Sequence, residues 1–156
     1  MTRAWAAEMG RIELKSLEQV KWMREAGLVV ADIHRSLREA ARPGITTREL
    51  DAVSAQAIRR AGATSNFLNY AGYPATVCIS INDVVVHGIP GERTLEEGDL
   101  VSFDCGAWVS RNGREWHGDA AFSMIVGDEW IPDEEFAQGK RAMGAAPGGL
   151  SDERIR

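Results

Sequence analysis

From Ser16 onward, apolar and small residues recur in steps of three and four: Val20, Met23, Gly27, Val30, His34, Leu37 and Ala41. Trp22, Ala26, Val29 and Ile33 widen the stripe. That spacing describes one face of an amphipathic helix. Ser16 and Gln19 stand at its start with the spacing of a capping box, in which each side chain satisfies a backbone N–H that the first turn leaves unpartnered. Arg42-Pro43-Gly44 ends the helix, because proline has no N–H and disfavours helix in the residue before it. A second helix is predicted at once. Thr46 and Glu49 repeat the capping box, and Ile45 with Leu50 has the spacing of a hydrophobic staple. Leu50, Val53, Ala57 and Ala61 make its inner face, and Gly62 is a C-cap candidate.

The pattern then changes character. Ala75–Ile81 and Val84–Val86 are rich in β-branched residues and read as strands, with Asn82-Asp83 between them. Gly88, Pro90 and Gly91 mark a loop. Leu100–Val109 reads as a strand, Ser110–Gly113 carries turn chemistry, and Ala120–Val126 reads as the returning strand. Helices followed by antiparallel strands point to an α+β fold. Residues 1–11 lack periodicity and read as an extension. Ile131–Met143 is a short helix candidate, with Pro132 and three acids in its first turn. The Gly/Pro-rich run 144–149 breaks any element, and Ser151–Arg156 reads as a loose tail.

Composition narrows the class. The 156 residues are 44% hydrophobic and 26% charged, ordinary globular usage with enough chain for one core. A net charge of −5 offers no footprint for nucleic acid or an anionic membrane. No apolar run approaches the ~20 residues that span a bilayer. The opening residues do not read as a signal peptide, because Glu8 breaks the apolar stretch. Cys78 and Cys105 are too few for a disulfide framework, so reduced thiols in a cytoplasmic protein are expected.

Chemistry concentrates in the β region. Asp104 interrupts an otherwise apolar strand, where a carboxylate is costly unless paired, hydrogen-bonded or on a metal. Asp119 opens the partner strand, and a hairpin would bring the two acids to one face. Close carboxylates repel unless a cation or proton lies between them, which suggests a metal site or an acid/base pair. The plainer alternative makes Asp119 a turn acid and Asp104 a backbone cap. His87 stands before the Gly/Pro loop, a place suited to a proton donor or substrate contact, or to a histidine that only satisfies backbone groups. His117 carries the same two readings. His34 falls on the helix stripe and reads as a core or boundary residue. Cys78 and Cys105 read as buried small hydrophobes rather than nucleophiles. Tyr70 and Tyr73 could wall an apolar pocket or simply pack.

Five segments, in order, resemble one family. They are Leu14–Gln19 leading into Met23–Gly27, then Pro43–Asp51, Tyr73–Pro90, Glu97–Leu100 with Asp104, and His117-Gly118-Asp119. Together, over about residues 12–127, they are similar to the bacterial type I methionine aminopeptidases, of peptidase family M24. The resemblance implies the N-terminal half of a pita-bread fold, two helices plus an antiparallel sheet. It implies hydrolytic, metal-dependent removal of N-terminal methionine from nascent proteins, in contact with the ribosome. Asp104 and Asp119 would be metal ligands, for two divalent ions drawn from Co, Mn, Fe or Zn. His87 would meet the substrate near the scissile amide, and Tyr70, Tyr73 and Cys78 would wall the methionine pocket. Hard carboxylate oxygens suit such ions.

Two departures from the family accompany the resemblance. The spacing from Asp104 to Asp119 is longer, which predicts an enlarged hairpin tip at Ser110–Glu115. An even insertion keeps the in/out alternation of both strands. Second, the family takes one His and two Glu ligands from a second half of its fold. Beyond Asp119 this chain has no histidine, and Glu129, Glu134, Glu135 and Glu153 stand in no ligand motif. The text after Phe136 resembles the product of truncation or a reading-frame change. The expectation is an incomplete, catalytically impaired copy with weak metal binding and exposed apolar surface, residues 128–156 being atypical. A non-catalytic module that binds peptide or a partner is the alternative.

Overall fold

The computed structural model describes residues 14–127. The predicted extension over 1–11, the helix candidate at Ile131–Met143 and the tail lie outside the described residues.

Helix α1 spans Leu17–Ala40 and α2 spans Thr47–Arg60. Both capping boxes form: Gln19 N–H donates to Ser16 Oγ at 3.2 Å, and Glu49 N–H donates to Thr46 Oγ1 at 3.2 Å. Gly62 follows α2 with φ +62°, the left-handed conformation a helix C-cap favours. On α1 the buried face is Ala26, Val30, Ile33 and Leu37. This corrects the expected stripe, because Val20 and Met23 are exposed and Gly27 faces outward. The buried face takes Val30 and Leu37 from the predicted stripe and Ala26 and Ile33 from its widening, and docking on the sheet sets where that face falls.

Four strands follow: β1 (Thr64–Ser65), β2 (Val77–Ile81), β3 (Leu100–Arg111) and β4 (Arg114–Ile125). All pair antiparallel, with β3 central. One edge of β3 takes β2 and then β1, and the other takes β4 along its whole length. Both helices lie on one face. There Val77, Ile79, Ile81, Val101, Phe103, Cys105 and Ala107 join Leu37 and Leu50 in the core. Phe122 stacks on Phe103 at 5.1 Å between ring centroids. Apolar side chains removed from water on this face supply the main stabilisation.

Gly118 lets α1 come close. A Cβ at 118 would lie 2.7 Å from the carbonyl carbon of Ala26, so no other residue fits beneath the helix without displacing it. Asp51 ties α2 to the start of β2, accepting from Thr76 N–H and Thr76 Oγ1, each at 2.7 Å.

Two strand assignments change. Val84–Val86 is not a strand: the chain turns at Asn82 (φ +54°), and Val84, Val85 and Val86 are 45%, 86% and 62% exposed. Local composition favoured a strand, but the outer edge of β2 is occupied instead by Gly88, whose carbonyl accepts from Ile79 N–H at 2.9 Å. The hairpin tip is not an enlarged loop either. The strands continue in register through Ser110↔Glu115 and Arg111↔Arg114, and Asn112-Gly113 alone make the turn, both with positive φ. Such a turn matches the twist of the strands it joins. Contacts with α1 support the lengthened ladder: Trp116 lies 5.1 Å from Trp22, and the Arg111 guanidinium lies 2.6 Å from the Glu25 carboxylate.

Replacing Phe103 by Ala is expected to cost about 3–5 kcal/mol of unfolding free energy. Gly118→Ala is expected to cost about 1–3 kcal/mol through overpacking. Urea titration of the three proteins checks both, and an unchanged midpoint for Gly118→Ala would mean that α1 does not depend on that close approach.

Candidate functional site

The sheet face turned away from the helices carries the polar groups. Strand alternation sends Cys105 and Phe103 to the core, and therefore Asp104 to the opposite face. In β4 the same alternation buries Trp116 while Asp119 emerges opposite. Gly106 pairs with Asp119 and Asp104 with Ala121, so the two aspartates are diagonal neighbours on one face. Diagonal pairs of this kind are about 7–8 Å apart along the backbone, within reach of side-chain contact. Across the other edge, Cys78 pairs directly with Asp104.

These groups line a cavity of about 520 Å³. Tyr70, Tyr73, Cys78, His87, Asp104 and Asp119, the six residues to which the resemblance gives a role, stand in its wall together. Phe67, Pro74 and Ile89 also line it and were missed. Ile89 lay inside a recognised segment but read only as loop. Phe67 has no periodicity around it to mark an inward direction. His117 is not in the wall. It shares a face with Asp119, but its Nδ1 lies 3.0 Å from Asn66 Oδ1. His34 is a boundary residue, donating from Nε2 to the Ala120 carbonyl at 3.1 Å and packing edge-on against Phe122.

Electrostatics follow from burial. Asp104 is half-buried, and its carboxyl is pushed above the usual range by that burial and then by the charge of Asp119, with His87 opposing. Burial also raises the Cys78 thiol, against its hydrogen bond with Tyr73. Cys105 is raised by burial as well. Both cysteines are free and remain neutral thiols, which agrees with small hydrophobes rather than nucleophiles.

His87 sits on an irregular loop with φ +57°, an uncommon conformation outside glycine. The surroundings hold it there. Tyr73 Oη donates to the Gly88 carbonyl at 2.9 Å, and Gly88 N–H donates to Ser80 Oγ at 3.2 Å. A Cβ at 88 would lie 2.1 Å from the Ile79 carbonyl oxygen, so only glycine permits this seat on β2. Farther out, buried Asp99 grips both feet of the loop. It accepts from Asn82 Nδ2 at 2.9 Å and from Arg93 Nη2 at 3.1 Å.

Asp104 and Asp119 offer hard oxygen donors that suit a divalent cation, and their mutual repulsion is what a cation would relieve. Among the described residues, no group of three His, Cys, Asp or Glu side chains is placed to hold an ion. The pair therefore fits one edge of a metal site. No helix among the described residues is long and apolar enough to cross a membrane.

Comparison with known proteins bears on the family and the fold. The model of "Metallopeptidase family M24" matches residues 21–143. A methionine aminopeptidase 1 of Mycobacterium tuberculosis is 46% identical over 128 residues, covering 81% of this chain and 47% of that protein. The crystal structure of a methionine aminopeptidase from Thermotoga maritima superposes with a TM-score of 0.67 at 30% identity, over 81% of this chain and 50% of that one. An Xaa-Pro dipeptidase from Bacillus anthracis shares the fold, with a TM-score of 0.59 at 21% identity, over 80% of this chain and 33% of that one. The chain spans about half the length of the curated relatives it matches.

The Asp99 clamp makes stability pH-dependent. The Glu96 N–H, then Asn82 and Arg93, hold its carboxyl below the usual carboxylate range. A depressed folded pKa contributes stability above the unfolded value of about 4 and loses it as pH falls through the folded value. Asp99→Asn is expected to be less stable at pH 7 by about 2 kcal/mol. That gap should close as pH falls below about 4. Urea midpoints across pH check this, and a gap independent of pH would show that the charge of Asp99 does not matter.

Proposed function

The chain belongs to metallopeptidase family M24, and from that membership we propose that it carries the methionine pocket and one edge of the metal site of a methionine aminopeptidase. Divalent-metal use goes with the family. The observation that carries the reading is the pair Asp104 and Asp119 lining one largely apolar cavity together with Tyr70, Tyr73 and Cys78. The similarity to methionine aminopeptidases, at 46% and 30% identity, supports that specificity over the X-Pro one, whose representative shares the fold alone.

Asp104 and Asp119 would hold the ions, Co, Mn, Fe or Zn. Such ions, when bound, polarise the scissile carbonyl and lower the pKa of water. The chain's own residues do the rest. Phe67, Tyr73, Cys78 and Ile89 surround an unbranched apolar side chain, and the neutral thiol keeps that wall uncharged. His87 donates a hydrogen bond near the scissile amide from a loop fixed at Gly88. The substrate would be the N-terminal methionine of nascent chains leaving the ribosome, in the cytoplasm. Among the described residues, Asp104 and Asp119 supply one edge of such a site, and slow turnover is the expected behaviour of the 156-residue chain.

Release of methionine from Met-Ala-Ser with added Mn or Co is the test. The expected rate is far below the ~1–10³ s⁻¹ of ordinary enzymes. It should vanish in Asp104→Asn and Asp119→Asn, and fall about 10²-fold in His87→Ala. Preference for Ala-Pro-Ala would replace the methionine reading with an X-Pro one. Binding of Met-Ala-Ser without release under any metal would make the chain a peptide-binding module, and absence of both would overturn the proposal.

A further inference from the structure

Gly106 faces Asp119 across the hairpin and is buried. A Cβ at 106 would lie 2.5 Å from Asn66 Nδ2 and 2.6 Å from Asp119 Oδ2. The Asn66 amide and the Asp119 carboxylate therefore share the room that any side chain at 106 would need. They lie within the sum of those two distances of each other.

Asn66 is itself held on three sides. Its backbone N–H donates to the Gly106 carbonyl at 3.0 Å. Its Nδ2 donates to the Gly118 carbonyl at 3.2 Å, and its Oδ1 lies 3.0 Å from His117 Nδ1. These partners are the residue paired with Asp119 and the two residues that precede it. The Gly118 contact also fixes the amide's orientation, because a backbone carbonyl can only accept, which leaves Oδ1 to accept from the His117 ring N–H. A primary amide has two N–H groups, and the Gly118 carbonyl takes one.

We propose that Asn66 is a positioning residue for Asp119. Clamped by Gly106, Gly118 and His117, its amide stands against the carboxylate across the space over Gly106 and restricts it to one rotamer. Gly106 is the vacancy that lets the two side chains stand together. The consequence for metal binding rests on the reading of Asp119 given above, whereas the clamp itself does not. Partners that orient a metal-binding side chain in this way are commonly worth 10–100-fold in metal affinity.

The test uses the full chain, isotopically labelled. Three-bond couplings from Asp119 Cγ to its own backbone N and C′ report χ1 without any metal. Mn²⁺-induced broadening of signals around residues 104 and 119 reports an apparent Kd. In the wild type the couplings should describe one rotamer. In Asn66→Ala they should average, and the apparent Kd should rise about 10-fold. Gly106→Ala approaches from the other side and should change the Asp119 couplings too. Asn66→Asp keeps the acceptor for His117 while removing the donor, and serves if Asn66→Ala does not fold. Averaged couplings in the wild type, or unchanged couplings in a folded Asn66 variant, would overturn the proposal. Absence of Mn²⁺ broadening in the wild type would sink the metal reading alone, with the couplings still deciding the clamp.

Discussion

The structure depends on one unbroken ladder, the pairing of β3 with β4 from Leu100↔Ile125 to Arg111↔Arg114. Because side chains alternate along a strand, this register sorts every residue of the hairpin to the helix face or the open face. Val101, Phe103, Cys105, Trp116 and Phe122 go to the helices, and Asp104 and Asp119 go together to the cavity. A slip of β4 by one residue against β3 would turn Asp119 into the apolar layer and Trp116 and Phe122 toward the open face, separating the two acids. Several independent contacts hold the register. The Asn112-Gly113 turn fixes one end, the Phe103–Phe122 stack fills the core side, and Ser102 bonds Ser123 at 2.7 Å on the open side. Gly118 completes the set, since α1 rests on the one position of β4 where a side chain is not tolerated.

The other wall of the cavity is built on a different principle. His87 belongs to no strand or helix, and its backbone conformation is unfavourable for a histidine. Its position is imposed by neighbours: Tyr73 and Ser80 fasten Gly88, and Asp99 fastens Asn82 and Arg93. A site with two carboxylates on a rigid hairpin and a histidine on a pinned loop combines precise spacing with a segment free of ladder constraints. Exposed Val84, Val85 and Val86 accompany that arrangement, because a loop held at both feet and at Gly88 has no core to turn them into.

Much of this was legible in the residue order. Both helices, their capping boxes and their ends followed from side chains that act on the nearest turn, so neighbours in sequence sufficed. The hairpin and the shared face of Asp104 and Asp119 followed from parity, which survives any even lengthening of the strands. Where local signals were misleading, the reason was a competing partner. Val84–Val86 has strand composition, but Gly88 takes the edge of β2. Ser110–Glu115 has turn composition, but Trp22 and Glu25 on α1 support its continuation as strand.

The sequence by itself determined the α+β order, the helix boundaries and the β3–β4 hairpin that turns Asp104 and Asp119 to one face. Those are consequences of short-range hydrogen bonding and of the two side-chain periods, whereas Tyr70, Tyr73, Cys78 and His87 were marked as wall residues only by the resemblance to a known family. Tertiary structure alone decided which stripe of α1 is buried, that Phe67 and Ile89 complete the wall, and that Asn66 stands over Gly106 beside Asp119. Each of these depends on an approach between residues far apart in the chain, and the close packing of a folded interior, not local preference, sets such distances.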